Sequence, residues 1–492
     1  MRLGRIGSCA FVAFLCSLAG APAAHADPAT VLVLGRDGSV RAHREALPPV
    51  EPRLRLRPAA SAAARRKGPT VLAELARLRD AGAIAPDEYD SRRATYEDAK
   101  ALVKRLSGTR RAELAGVLGD LDSMAARGQL TGSRIGPLWL TLERNRQWWT
   151  NGPLLGSGQR VGFSDSELVW QHYPGHGIQI QWLGTFGKLN ALWKGGRRND
   201  ARLARMLDEV LPLAGERAGG IAWEYLFPFD GGAPPWVSGL AQGTALQALA
   251  RAASRLGRQD EVFPIAARGL AIFEAPPPEG VRVAVDGGAH YLQYSALPGV
   301  RIINGFVQSL VGLFDFAELT GDQTALELFA AGDAAARVEV PTYDTGAWSL
   351  YSRGTVTEES DLAYHKLLRD FLSALCTRTA DPVFCGTAEH LTSYLTLPPA
   401  LSLATTRLTA GRVGALRFRL SKVSRVSVRV TRAGRLVLGR DMGRIGRGTR
   451  ALRWRVPRAR GTYRVTLSAT DLAGNRGSAV ATVKVTRPGG RS

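Results

Sequence analysis

The chain has 492 residues, 45% of them hydrophobic, and a formal net charge of +22. The length suggests two to four domains, and the apolar content is ordinary for a globular protein, which excludes a chain too polar to bury a sizeable core. The charge is uneven: from Leu401 to the end there are 22 Lys and Arg against only Asp441 and Asp471, so the rest of the chain is close to balanced.

Residues 1–26 read as a secretory signal, with Arg2 and Arg5, an apolar run from Cys9 to Leu18, and Ala24-His25-Ala26 as a cleavage site before Asp27. The run is too short to span a bilayer, and Phe14 and Leu15 before Cys16 do not suit a lipid anchor. With no second apolar segment long enough to span, the expected product is secreted, extracellular or wall-associated. Residues 27–66 open with a possible strand, Thr30–Gly35, and then take on the Pro/Ala/Arg-rich composition of a linker.

From 67 to 150 the pattern is helical. Val71, Leu72, Leu75 and Leu78 recur at helical spacing, Asp80 to Gly82 stops that run, and Pro86 starts the next. Leu114, Leu118, Leu121 and Met124 continue the pattern, which indicates packing and no chemistry. Over 151–396 the sequence predicts helix pairs joined by Gly/Pro-rich loops, with runs at 178–193, 201–214, 237–256, 259–273, 302–320, 324–338 and 362–377. Such pairs suggest an (α/α) toroid with a cleft of polar loops at one end. Cys376 and Cys385 fall at the end of one helix and the start of the next, so in an exported chain a disulfide would staple a helix hairpin. A reactive thiol or half of a metal site is the alternative.

Residues 400–486 switch to period two, as in Leu416–Leu420, Val423–Val430, Leu452–Val456 and Tyr463–Leu467. Several short strands at this spacing suggest an immunoglobulin-like sandwich with Arg on its solvent face. The fold class expected is therefore multidomain and mainly α, with a C-terminal all-β sandwich. Residues 401–492 suit a polyanionic partner, such as an acidic polysaccharide, a wall polymer or an anionic membrane. Export makes nucleic acid the poorest fit. Simple solvation of a β surface is the other explanation.

The stretch from Tyr343 to His365 gathers Tyr343, Tyr351, Tyr364 and His365 with Asp344 and Arg353. Together with Tyr294 to Pro298, Arg301 to Phe306, Ser309 to Asp315 and Trp236 to Gly243, it resembles the C-terminal domain of the D-glucuronyl C5-epimerase family. Residues 215–395 carry the resemblance, with weaker matches at His172 to Gly177 and Phe186 to Asn190. The resemblance implies inversion at C5 of a uronic acid within a polysaccharide, with Tyr351 and Tyr364 at positions of catalytic tyrosines and Tyr294 at that of another active-site tyrosine.

The residue types suit that chemistry. Removing the C5 proton beside a carboxylate builds a dianionic enolate, so a cation must neutralise the carboxylate. One group takes the proton and another returns it on the opposite face. Tyr364 is the expected proton carrier, and Arg353 or His365 the expected clamp. The family's catalytic Glu is replaced by Gln293, which cannot act as a base. Glu224, from another loop, or a tyrosine would have to stand in. Asn304 could bond substrate hydroxyls or brace a loop. Trp236, Tyr173 and His172, with Trp170, Trp182, Trp223 and Tyr225, could line a glycan cleft or simply pack.

His172 and His176 lack a third ligand at suitable spacing, so no metal is expected. No phosphate loop, dinucleotide fingerprint or Gly-x-Ser-x-Gly elbow is present, so no cofactor is implied. Two rival functions remain: a uronate lyase that begins with the same proton abstraction, and a non-catalytic glycan- or wall-binding protein, which Gln293 favours.

Overall fold

The computed structural model describes residues 29–52, 54 and 68–487. The leader expected at 1–26 lies outside the described residues. The strand expected near Thr30 is present as β1 (Ala29–Leu34), but the chain then turns back as β2 (Val40–Glu45) instead of dissolving into a linker. Gly38, at φ +79°, takes the left-handed position that this tight return needs.

Four helices follow: α1 (Val71–Asp80), α2 (Pro86–Arg105), α3 (Gly108–Ala126) and α4 (Gly132–Asn151). Thr70 caps α1 by accepting from Ala73 N, and Pro86 opens α2 where a missing N–H costs nothing. The apolar positions that predicted these helices, including Leu75, Leu78, Leu114, Leu121 and Met124, are buried.

The chain next forms β3 (Arg160–Phe163), β4 (Trp170–His172) and β5 (Ile178–Ile180). β3 pairs parallel with β1, giving one sheet in the order β2-β1-β3-β4-β5. Residues 29–45 are thus built into the fold, because β1 completes the edge of β3. The helix expected from Ile178 begins only at Trp182 (α5, Trp182–Lys194); its first residues are the buried strand β5, and Gln181 caps the helix through Gly184 N. The alternating Ile178-Gln179-Ile180 reads equally well as a strand, and the pairing with β4 decides it.

Next come α6 (Asp200–Val210), the hairpin β6 (Gly215–Arg217) and β7 (Gly220–Ala222), then α7 (Gly239–Leu256), α8 (Gln259–Ala267) and α9 (Ala271–Glu274). The hairpin β8 (Arg282–Val285) and β9 (Gly288–Tyr291) leads through β10 (Val300–Ile302) to α10 (Ile303–Thr320) and α11 (Gln323–Glu339). A sheet of β10, β11 (Leu350–Gly354) and β12 (Glu358–Glu359) precedes α12 (Leu362–Thr379) and α13 (Pro382–Tyr394). Side-chain caps start α7 (Ser238), α11 (Asp322), α12 (Asp361) and α13 (Asp381). α7 and α10 touch backbone to backbone: Gly312 meets Gly243 with no space for a β-carbon. That contact accounts for the small residues in both motifs. Cys376 and Cys385 form a disulfide between α12 and α13.

The C-terminal region is β-rich. It comprises β13 (Leu401–Leu403), β14 (Arg407–Thr409), β15 (Val413–Leu420), β16 (Ser424–Arg432), β17 (Arg435–Ile445), β18 (Gly448–Arg455), β19 (Gly461–Asp471) and β20 (Arg476–Thr486). Two sheets, β13-β15-β18 and β14-β20-β19-β16-β17, enclose a core of Leu416, Phe418, Val428, Tyr463 and Leu467. Arg417, Arg419, Arg425, Arg429 and Arg453 alternate with these residues and are exposed.

This region is fastened to the helices through polar contacts. Lys422, fully buried, pairs with Asp471 at 2.7 Å and donates to the carbonyls of Tyr394 and Leu397. Glu359 of β12 accepts from the backbone of Val423 and Arg447. The whole is a mixed α/β, multidomain chain. Among the described residues no helix is long and apolar enough to cross a membrane.

Candidate active site

The motif tyrosines converge. Tyr294 follows β9, Tyr351 lies on β11, and Tyr364 opens α12. The rings of Tyr351 and Tyr364 meet edge to face at 5.1 Å. Gln293 ties the group together, with its Nε2 donating to the Tyr294 hydroxyl at 2.9 Å and reaching that of Tyr351 at 3.4 Å. Gly305, at the start of α10, has no β-carbon because the Gln293 side chain occupies that space. Asn304 donates to the Tyr364 carbonyl at 3.0 Å, so it braces the first turn of α12, while its Oδ1 is without a partner.

Aromatic rings wall this group. Trp236 stacks on Tyr225 at 4.1 Å and meets Tyr294 edge to face at 5.5 Å. Tyr173 packs against Phe227 and Phe229. Trp236 and Tyr173 thus belong to this buried cluster. Trp170, Trp182 and Trp223 are packing residues: Trp170 lies against Phe163, and the indoles of Trp182 and Trp223 donate to backbone carbonyls.

Several sequence expectations need correction. Glu224 does not face the phenols as a spare base. Its carboxylate is buried and gripped by Arg134 at 2.6 and 2.9 Å and by Arg217 at 2.6 Å. Both oxygens are committed, and the residue is structural. Arg353 is exposed on β11, beyond the cluster, with its guanidinium 5.6 Å from the Tyr343 ring centre. His365 is buried, stacked on Trp348 at 3.7 Å, and hydrogen-bonded to Ser349 and to the Leu391 carbonyl. Burial lowers its pKa to about 4, so it carries no charge near neutrality and cannot clamp a carboxylate. His172 bonds the Gly156 carbonyl and approaches Glu113 at 3.3 Å, and His176 bonds Asp120; both histidines tie their loop to α3. Tyr343 donates to the Arg301 carbonyl, and Asp344 accepts from Gly346 N within its turn.

The cation of the cluster is Arg160 on β3, which the sequence motifs did not single out. Its buried guanidinium faces Tyr173, Glu51, Tyr364 and Tyr225, and burial lowers its pKa. Nη2 donates to the Pro48 carbonyl at 3.1 Å, whereas Nε and Nη1 have no hydrogen-bond partner. The Tyr364 hydroxyl and Gln293 Oε1 are likewise unpartnered. A buried polar group without a partner costs free energy, and Arg160, Tyr364 and Gln293 each carry such an atom.

Glu51 was also missed. It lies on the irregular stretch that follows β2 and is 5% exposed, and burial raises its pKa to about 7, opposed by Arg160. The phenols beneath it are sealed, with Tyr294 and Tyr351 at 2% exposure and Tyr364 and Gln293 at zero. Burial pushes all three phenol pKa values up. The open cleft expected from the sequence is therefore closed in this structure. A lone Arg in an apolar strand and the one acid between Ala46 and Pro58 were the only sequence signals for Arg160 and Glu51.

The cluster thus sets phenols, an amide and a buried guanidinium together on a helical body. Residues 219–393 match the family model described as the D-glucuronyl C5-epimerase C-terminus, which supports that family assignment for this part of the chain. The chain is similar to a D-glucuronyl C5-epimerase of Caenorhabditis elegans, with 30% identity over 179 residues, 33% of this chain and 29% of the nematode protein. It is also similar to an uncharacterized protein of Methanocaldococcus jannaschii, with 25% identity over 171 residues, 33% of this chain and 54% of that protein. The matches thus span less than a third of the first relative and about half of the second. Among solved structures, a Cellulomonas fimi endo-beta-1,4-mannanase double mutant aligns at 14% identity and a TM-score of 0.13, over 75% of this chain and 85% of that one, too low to bear on the fold.

Proposed function

We propose that this is an exported D-glucuronyl C5-epimerase-like protein acting on glucuronate residues of an acidic polysaccharide. In this reading the helical part is an (α/α) toroid and the C-terminal region an immunoglobulin-like sandwich. The observation that carries the proposal is the clustering of Tyr294, Tyr351 and Tyr364 about Gln293, with the buried, partly unsatisfied guanidinium of Arg160 on the Tyr364 side.

Arg160 neutralises the uronate carboxylate, the role first expected of Arg353 or His365. The C5–H bond breaks, its electron pair spreads into the carboxylate as an enolate, and the proton passes to a phenolate. A neutral phenol on the opposite face returns a proton to C5. The two transfers balance, and no oxidant or cofactor enters. With Gln293 unable to ionise and Glu224 held by two arginines, proton acceptance falls to Tyr351 or Tyr364. The disulfide between Cys376 and Cys385 supports an oxidising compartment.

The test is incubation with glucuronate polymers in heavy water, followed by proton NMR. Loss of the C5 proton signal with appearance of the inverted sugar is the expected result. An absorbing unsaturated product would indicate elimination instead. No exchange in any uronate polymer would favour the second reading, a glycan-binding protein without catalysis, for which Gln293 is the specific observation.

A further inference from the structure

The described residues 47–52 and 54 lie outside any helix or strand, yet they bury Leu47, Glu51 and Leu54 and bring Glu51 into the electrostatic reach of Tyr294, Tyr351 and Tyr364. Apolar anchors hold both ends. Leu47 packs with Val31 and Val169, and Leu54 joins the main helical core. The Leu54 amide donates to Asp230 at 2.9 Å, and the Pro48 carbonyl accepts from Arg160. Pro48 fills the space where Gly187 lacks a side chain, and Val50 lies beside Gly158.

The middle of the segment is different. Both Glu51 oxygens are buried without a hydrogen-bond partner, within electrostatic reach of Arg160 and Tyr364, which themselves keep two guanidinium nitrogens and a hydroxyl unpartnered. A carboxylate evolved as a permanent strut would be paired, because burying it unpaired costs several kcal/mol. Glu224 shows how this same chain satisfies a structural carboxylate, with three bonds from two arginines. Glu51 instead presents an unpaired carboxyl beside donors that are themselves unpaired.

We propose that residues 47–54 are an intramolecular occupant of the cleft, with the Glu51 carboxylate standing where the uronate carboxylate binds, so that the segment must leave before substrate enters. This rests on the uronate reading of the site. It also explains why the phenols are closed off. Beneath the segment they are dry and neutral, and the phenolate that proton abstraction needs does not form. Leu54 is the anchor whose loss opens the cleft, and Glu51 is the group that competes with substrate.

The test uses the full chain and two variants, Leu54→Asp and Glu51→Ala, with thermal melting to establish that each is folded. Phenol accessibility is read by tetranitromethane nitration, mapped to Tyr294, Tyr351 and Tyr364 by mass spectrometry. Binding of a glucuronate-containing oligosaccharide is read by calorimetry. Nitration at least tenfold faster in Leu54→Asp, and oligosaccharide binding at least tenfold tighter in Glu51→Ala, are expected. Unchanged nitration in a folded Leu54→Asp protein would overturn the proposal and make the segment a fixed wall. Loss of C5 exchange in Glu51→Ala with nitration unchanged would also overturn it, because Glu51 would then be a working base. Faster nitration with no uronate binding by any protein would uphold the occupant and defeat the uronate reading separately.

Discussion

Gln293 Nε2 donates to the Tyr294 hydroxyl at 2.9 Å and also reaches Tyr351. A neutral amide therefore holds two phenols at the position where the related family carries a carboxylate. Changing Gln293 to Glu alters one atom of the side chain and turns a donor into a base without changing its size. In a variant whose segment 47–54 is displaced, Gln293→Glu should raise C5 deuterium exchange by roughly a hundredfold, the lower end of what general base catalysis supplies. Proton NMR in heavy water measures it. An unchanged rate would show that a phenol already accepts the proton.

Glu224 makes the opposite prediction. Its three bonds to Arg134 and Arg217 are buried, so removing the carboxylate leaves two arginines uncompensated. Glu224→Ala should destabilise the fold by about 3–5 kcal/mol, seen as a fall in denaturant midpoint. Oligosaccharide affinity of the molecules that remain folded should hold. Selective loss of binding at unchanged stability would return Glu224 to the site.

These two residues also show what the sequence could and could not tell. The phenols were legible because they sit within short motifs whose spacing survives folding, and the helices because apolar positions such as Leu75, Leu114 and Leu121 recur at helical spacing and are buried. Glu224 was misread because Arg134, which commits it, lies 90 residues away. Arg160 and Glu51 reach the cluster from a short strand and an irregular stretch far outside the motifs, and no local pattern announces that meeting. His365 looked like a cation because its sequence neighbours are polar; its neighbours in space are Trp348 and a backbone carbonyl.

His365 gives a pH prediction. Its pKa is lowered from 6.5 to about 4 in the folded chain by burial. Between those values the unfolded chain binds the proton and the folded one does not, so stability rises with pH across this window. The contribution is fully present above about pH 6.5 and is lost as the pH falls toward 4, a change of about 3 kcal/mol from this group. Guanidinium midpoints measured from pH 4 to 7 should show the slope, and His365→Gln should flatten it. An equal slope in the variant would assign the effect to other groups, of which His290, also lowered by burial, is the first to try.

The outward arginines of the C-terminal sheets make a prediction about partners. Arg417, Arg419, Arg429 and Arg453 are exposed on strands whose alternate residues form the core, and this region has few acids to offset them. Charge spread over a rigid sheet binds polyanions through many weak contacts, each screened by salt. The full chain should therefore be retained on a sulfated polysaccharide resin and elute earlier as Arg is replaced. Arg417→Glu with Arg429→Glu should lower the eluting salt concentration by at least a third without changing the melting temperature, because neither side chain contributes to the core. Mere solvation of the β surface predicts instead that elution follows total charge, wherever it sits. A control with the same two reversals at Arg93 and Arg111 on the α2 and α3 helices separates the cases: if it elutes equally early, the C-terminal sheets are not a binding surface.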